Sequence, residues 1–550
     1  MSQTATTRMT GGQAVVAMLA QHGIEWIFGV PGGHTVPMFD ALRDQNDVKL
    51  MLGRHEQGLV GMADGYSRAT GRIGVVTTTS GPGVANMAAA MGSATTDTVS
   101  VLGISSTVAT DLVGKNRGGL HDLNDSLEIM RPVCRAVRRC HSVEQIPHMI
   151  SELIDQIVNG RPGGVYCEIP HDLFSSQADC ELPPPVVHTP RLPDEAAVEQ
   201  AVALLSTAQR PLIWAGTGTV LSSAGDILTR LAEKLGAVVT TSALARGIIS
   251  SDHPNVTRRD PIAGGPVDKV IGQADVVLAV GTMFRQEDTS YWDIEFSGKL
   301  IHIDIDPEEI GRTYSADVGL VADARVALES IEQALPSREP ANPEWLASAK
   351  LAEADALQAW RRARPTEMQA VDALRSAAPR NTIIVCDRCN LGYWAHRHMA
   401  AYQPRTFQYP LGYGGIGGSL PQAIGAKLAC PDQPVVCVIG DGGFQYTGMD
   451  LILAVQQKTP ITIVLCNNHC FGAIKAGMQR NFGHSDIGCT LTNPDFQQFA
   501  AAYGVPAKRV DNIAQFGDML AQAIRSESLN LIELTVDLAD PLSTIGGMTD

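Results

Sequence analysis

The sequence predicts an α/β protein made of three doubly wound parallel-sheet domains. Two observations lead there. Short, nearly uninterrupted apolar runs alternate with longer helical patterns along the whole chain. Two proline-bearing polar stretches, residues 181–193 (ELPPPVVHTPRLP) and 336–345 (PSREPANPEW), cut that alternation into three blocks. Continuous apolar runs mark strands buried on both faces, and such strands belong to parallel sheets with helices on either side.

The first block, 1–182, holds the strand-like runs VKLMLG, IGVVTTTS and VSVLGISS, the last two bracketing a helix-like GVANMAAAMGSA. The second, 191–335, holds RPLIWAG, ADVVLAVG and KLIHIDID. The third, 346–550, holds TIIVCD, PVVCVIGD, ITIVLCNN and LIELTVD. Each block has an ordinary domain size. In such sheets ligands sit beyond the carboxyl ends of strands, so the residues just after each run carry the functional signal.

Composition narrows the classes. The chain has 550 residues, is 44% hydrophobic and 18% charged, and carries a formal net charge of -16. That balance is globular and argues against general nucleic-acid binding, which needs basic surfaces. No apolar run has the length of a membrane span, and MSQTATTRMT lacks the apolar core of a signal peptide. Eleven scattered cysteines are expected to be reduced thiols of a cytoplasmic protein. The CxxC at Cys386 and Cys389 has no second ligand pair nearby, so a structural role is expected for it.

The sharpest local pattern follows PVVCVI. Gly440, Asp441, Gly442 and Gly443 precede a helix-like MDLILAVQQ, and ITIVLC then ends in Asn467 and Asn468, with 24 residues between Gly442 and Asn467. Two adjacent parallel strands joined by one helix would bring Asp441 and Asn468 together. A carboxylate and an amide oxygen are hard donors suited to Mg2+, which keeps further positions for phosphate oxygens and water. The glycines let backbone approach a diphosphate closely. An Asp-Gly turn or an Asn pair alone would be unremarkable.

Further segments join this pattern: Glu56 in RHEQGLVGMADGYSRATGR, the glycine-rich LGYGGIGGSL before PQAIGAKLA, FGVPGGHTVPMFDAL, TTTSGPGVAN, and KLIHIDIDPEEIG. Together they resemble the thiamine diphosphate-dependent enzymes across essentially the whole chain, in the acetohydroxyacid (acetolactate) synthase-like and benzaldehyde lyase-like branch. The resemblance implies pyrimidine-binding, central and diphosphate-binding domains in that order. It implies Asp441, the side chain of Asn468 and the backbone carbonyl of Cys470 as metal ligands, and Gly440, Gly442, Gly443 and Asn390 beside the diphosphate. It further implies that the Gly414 carbonyl accepts from the 4′-amino group and that Ile416 supports the bent cofactor. Glu56 would stand against N1′ of the pyrimidine. A carboxyl there promotes the tautomer whose 4′ nitrogen takes the thiazolium C2 proton, so the protein supplies position and a proton while the cofactor supplies the electron sink.

His34, after the Gly32-Gly33 turn, falls where benzaldehyde lyase has an active-site histidine, and His121, in GGLHDLND, where relatives place a polar group facing substrate. Imidazoles can move protons there near neutrality. Two segments depart from the pattern. GTMFRQEDTSYW does not reproduce the Arg-Phe-Asp-Asp order of the flavin-associated central domain, so FAD is possible but not favoured. Residues 387–394 keep Asn390, but Leu391 cannot supply the usual polar group beside the diphosphate. The implied activity is carbon–carbon lyase/ligase chemistry on a small carbonyl substrate, of the 2-oxoacid decarboxylase/carboligase type. The alternatives are an acyloin or 2-hydroxyacyl-CoA lyase/ligase, or a catalytically weak scaffold that binds the cofactor. The expected assembly is a homodimer or homotetramer without nucleic-acid or membrane partners.

Overall fold

A computed structural model describes residues 6–261, 264–337, 343–484 and 487–540. It contains three parallel sheets and one two-stranded antiparallel ribbon. Each parallel sheet has a strand-order reversal next to its first strand, the crevice in which doubly wound folds bind ligands.

The first sheet runs Lys49–Leu52, Trp26–Gly29, Gly74–Thr78, Val101–Thr107, Gly164–Pro170, Ala136–Arg139. Its reversal lies between Trp26–Gly29 and Gly74–Thr78, pairing Phe28 with Val76. The central sheet runs Val238–Thr241, Pro211–Ala215, Val276–Val280, Lys299–Asp304, Val318–Val321. The third runs Phe407–Gln408, Ile383–Cys386, Val435–Gly440, Thr462–Cys466, Asn530–Leu534, Ala507–Val510. Strands such as Gly74–Thr78, Val101–Thr107 and Val276–Val280 are buried along their whole length, the signature of sheets covered on both faces.

Contacts divide the chain into two compact units. One comprises Met1–Thr189, Gly412–Cys430 and Thr447–Gln457; the other comprises Pro190–Leu411, Pro431–Tyr446 and Lys458–Asp550. The first unit thus takes up the glycine-rich segment after Leu411 and its helix Ser419–Ala429. That helix lies so close to helix Glu56–Thr70 that a Cβ on Gly65 would be 2.0 Å from the Gln422 carbonyl oxygen, and one on Gly425 1.9 Å from that of Met62. Glycine at both positions is what lets the backbones meet.

Two features differ from expectation. The ribbon Thr6–Thr10/Gln177–Glu181 ties the beginning of the first block to its end, a non-local pairing without local signal. The expected second linker is shorter than its composition suggests: residues 338–342 lie outside the described ones, and a helix starts at Pro343, where proline suits a first helical turn. The first linker has no helix or strand between Leu182 and Asp194. Among the described residues no helix is long and apolar enough to cross a membrane.

Candidate active site

Glu56 is the first residue of helix Glu56–Thr70, with His55 as N-cap accepting from the Gln57 N–H through Nδ1. Its two carboxylate oxygens have different donors. Thr78 Oγ1, at the end of strand Gly74–Thr78, donates to Oε1 at 3.4 Å, and Asn86 Nδ2 donates to Oε2 at 3.0 Å. Asn86 projects from helix Pro82–Thr96, so three elements converge on one half-buried carboxylate.

The same crevice gathers three imidazoles. Gly32 is pressed onto Thr79: a Cβ there would lie 2.5 Å from Thr79 Cβ, so the turn that presents His34 requires glycine. Thr35 closes the turn, its Oγ1 accepting from the Gly32 N–H and donating to the Gly32 carbonyl. His34 Nδ1 is 2.7 Å from Ser80 Oγ. Its ring stacks on His171, with centroids 4.3 Å apart at 16°, and meets His121 edge-on at 5.3 Å and 86°. His121 has φ of 61° and sits over Gly81. Burial first, then repulsion from His171 and His121, lowers the pKa of His34 below the ordinary imidazole value. Sequence reasoning did not single out His171, Ser80, Thr78 or Asn86; the last three lie within the quoted TTTSGPGVAN, and His171 directly follows strand Gly164–Pro170.

In the first unit the segment after Leu411 is anchored by Asp97, whose Oδ1 accepts from the Gly412 N–H at 2.8 Å, and by Thr447 Oγ1 donating to the Gly417 carbonyl at 2.6 Å. Gly414 has φ of 72°, open to glycine, and Ile416 is half-buried.

In the second unit, strands Val435–Gly440 and Thr462–Cys466 are adjacent and parallel, with Gly440 opposite Cys466. Asp441 and Asn467 therefore leave neighbouring strand ends side by side. One amide joins them: Asn493 Nδ2 donates to Asp441 Oδ2 and to Asn467 Oδ1, both at 2.8 Å. Asn467 Nδ2 in turn donates to Glu533 Oε1. Burial raises the pKa of the Asp441 carboxyl, with the hydrogen bond from Asn493 opposing it. The Asn468 side chain goes elsewhere than Asn467. A Cβ on Gly472 would lie 3.1 Å from Asn468 Nδ2 and 2.9 Å from Asn390 Nδ2, so Asn468 and Asn390 flank the same glycine. Asn390 opens helix Asn390–His398 and donates to the Leu538 carbonyl.

Gly442 and Gly443 lie in helix Asp441–Thr447, which begins directly at the strand end. A Cβ on Gly442 would be 2.5 Å from the Phe471 ring. Cys470 bridges Thr490, but the bonds of that pairing run from Phe471 N to the Cys489 carbonyl and from Leu491 N to the His469 carbonyl, which leaves the Cys470 carbonyl outside it. Among the described residues no group of three His, Cys, Asp or Glu side chains is arranged for a metal. A cation at this strand end would rest on one carboxylate with amide and carbonyl oxygens. That hard, weakly charged donor set fits Mg2+ shared with a diphosphate.

Both cysteines of the CxxC are free thiols. Cys386 and Cys389 are buried; burial pushes the Cys386 thiol up, and a hydrogen bond with Cys466, followed by burial, does the same to Cys389. All eleven cysteines are free thiols. In the central sheet the loop glycines pack on one another: a Cβ on Gly216 would lie 2.1 Å from the Gly281 carbonyl oxygen, and the Gly218 N–H donates to that oxygen.

Family models match in three places: the N-terminal TPP binding domain of thiamine pyrophosphate enzymes over residues 9–129, their central domain over 198–331, and their C-terminal TPP binding domain over 387–534. A probable 2-ketoarginine decarboxylase of Pseudomonas aeruginosa is 34% identical, over 96% of this chain and 94% of its own length. A probable acetolactate synthase large subunit of Methanococcus aeolicus is 30% identical over 98% and 94%, and acetolactate synthase isozyme 2 large subunit of Escherichia coli is 30% identical over 96% of each.

Proposed function

Since this chain belongs to the thiamine pyrophosphate enzymes, we propose that it is a 2-oxoacid decarboxylase/carboligase of the acetolactate synthase type. The observation that carries the catalytic part of the reading is the Glu56 carboxylate held between Thr78 and Asn86 at the mouth of the first crevice. When bound, thiamine diphosphate supplies the electron sink for breaking or making the bond next to a carbonyl.

The chain's own groups have separate tasks in this reading. Glu56 holds a proton at N1′. Asp441, the Asn468 side chain and the Cys470 carbonyl hold Mg2+, with Asn390 and the backbone of Gly440, Gly442 and Gly443 beside the diphosphate. The Gly414 carbonyl and Ile416 set the pyrimidine and its bend. His34, neutral near pH 7, moves a proton at the substrate oxygen, with His121 beside it. The domain boundaries that go with these roles are 1–182, 191–335 and 346–550. Flavin is not part of the reading, and the location is cytoplasmic.

An acyloin lyase/ligase is the second reading, favoured by the imidazoles around His34. Product analysis with a panel of 2-oxoacids, aldehydes and acyloins separates the two. Carbon dioxide release from a 2-oxoacid, dependent on added thiamine diphosphate and Mg2+, is the expected result. Turnover of acyloins alone would favour the second reading, and cofactor binding without any turnover would sink both.

A further inference from the structure

The role of His34 proposed above leaves open what fixes its ring, and the same crevice holds a residue with no assigned task. His171 is the first residue of the short helix His171–Ser175, directly after strand Gly164–Pro170. Its ring lies nearly parallel to that of His34 at 4.3 Å. We infer that His171 is a positioning residue for His34: the stack sets the plane of the His34 ring, and Ser80 engages its Nδ1, so that Nε2 is the nitrogen left to work on substrate.

Two constraints act together. Stacking fixes the plane of the His34 ring and leaves a choice between two orientations related by a half-turn about Cβ–Cγ. The 2.7 Å contact between Nδ1 and Ser80 Oγ selects one of the two. Ser80 is itself fixed, since its N–H donates to Ser106 Oγ at 2.9 Å. A second imidazole at van der Waals distance also opposes protonation of the first, which keeps His34 able to accept a proton. The charges that act on His34 are those of His171 and His121. Carboxylates on the same elements are engaged elsewhere: Asp172 Oδ1 accepts from the Thr110 N–H and hydroxyl, and Glu56 accepts from Thr78 and Asn86. Asp122 stands next to His121 in the chain.

The inference rests on His34 acting at substrate, so the test has one arm independent of that. His171→Phe keeps a ring to stack on and removes the second titrating group; His171→Ala removes both. The first measurement is NMR titration of the histidines in the cofactor-free chain, with the His34 signal assigned by its loss in His34→Ala. In His171→Phe the His34 titration is expected to move to higher pH. An unmoved titration overturns the inference whatever His34 does in catalysis. The second measurement is the pH profile of kcat/KM. Its acid limb is expected to move up in His171→Phe, and kcat/KM at neutral pH to fall about tenfold in His171→Ala, with cofactor affinity unchanged in both. If His34→Ala is fully active while the NMR shift is present, the role of His34 fails and the coupling to His171 stands. If His34→Ala is impaired and His171→Ala is not, the positioning role fails.

Discussion

Asn86 donates its side-chain amide to Glu56 at 3.0 Å across the space between two helices, and so gives the carboxylate a neutral donor instead of a cation. An arginine in that place would hold Glu56 ionised; an amide leaves it free to share a proton with a heterocycle nitrogen. Glu56→Gln is therefore expected to lower the rate of thiamine C2-proton exchange by about 10²-fold or more, the usual scale of a positioned acid–base group. Asn86→Ala should lower it less, by about tenfold, since a half-exposed hydrogen bond to a charged group sits at the low end of roughly 1.5–3 kcal/mol. Hydrogen–deuterium exchange at C2 with cofactor saturating reads both. Near-normal exchange in Glu56→Gln would remove Glu56 from the mechanism.

Asn493 joins Asp441 to Asn467, and this makes it a support for the proposed metal ligand. Asp441→Ala should abolish the dependence of cofactor affinity on Mg2+, because a charged oxygen ligand is lost. Asn493→Ala should weaken that affinity about 10–100-fold, as loss of a group that orients a ligand does. Calorimetry at fixed and zero Mg2+ distinguishes the two. Unchanged affinity in Asp441→Ala would move the metal elsewhere.

That the residues after PVVCVI and ITIVLC come together was legible in the sequence, because parallel strands put their ends side by side, but it is Asn467 and not the expected Asn468 that Asn493 joins to Asp441. The partner of Asp441 was not legible. Asn493 lies in a loop 26 positions from Asn467, with no strand or motif around it. His171 was hidden in the same way, since a histidine that follows GVYCEIP gives no hint that the chain folds its ring onto His34. The apolar periodicity gave most core strands, such as Ile383–Cys386 and Asn530–Leu534. It failed at edges: Ala507–Val510 is largely exposed, and Phe407–Gln408 is two residues long. A strand that is exposed, or only two residues long, offers no continuous apolar run to read.

Asp450 offers a pH test of the helix that carries Glu56. Its carboxyl rests on the first turn, where a Cβ on Gly58 would be 2.3 Å from Oδ2. Burial raises its pKa to about 7, against a lowering by Arg54. The folded-state value lies above the unfolded one of about 3.9, so the favourable contribution is complete only below that pH and is lost as pH rises through about 7. Asp450→Asn removes the titration. Its thermal midpoint is expected to exceed that of the unaltered chain at pH 8, with the gap narrowing toward pH 5. A gap that is constant with pH would show that Asp450 does not titrate in this window.

The last expectation concerns assembly. Glu56 belongs to one compact unit, and Asp441 and Asn468 to the other. In the proposed reading Glu56 of one chain serves cofactor held by Asp441 and Asn468 of a second chain, so two sites need at least a homodimer, with an isologous interface as the usual solution. Exposed apolar side chains on helix Gly472–Phe482, which has no buried residue, are compatible with a covered surface there: Ile474 and Phe482 both stand out from it. Glu56→Gln and Asp441→Ala chains, each inactive alone, should recover activity when mixed under conditions of chain exchange, because a mixed dimer then holds one site with both groups intact. With random pairing, half of the dimers are mixed and each has one good site of two, so recovery should approach one quarter of the unaltered activity. Exchange is verified separately with differently tagged chains. Proven exchange without recovery, or full activity of a monomer at assay concentration, would place Glu56 and Asp441 of one site on the same chain.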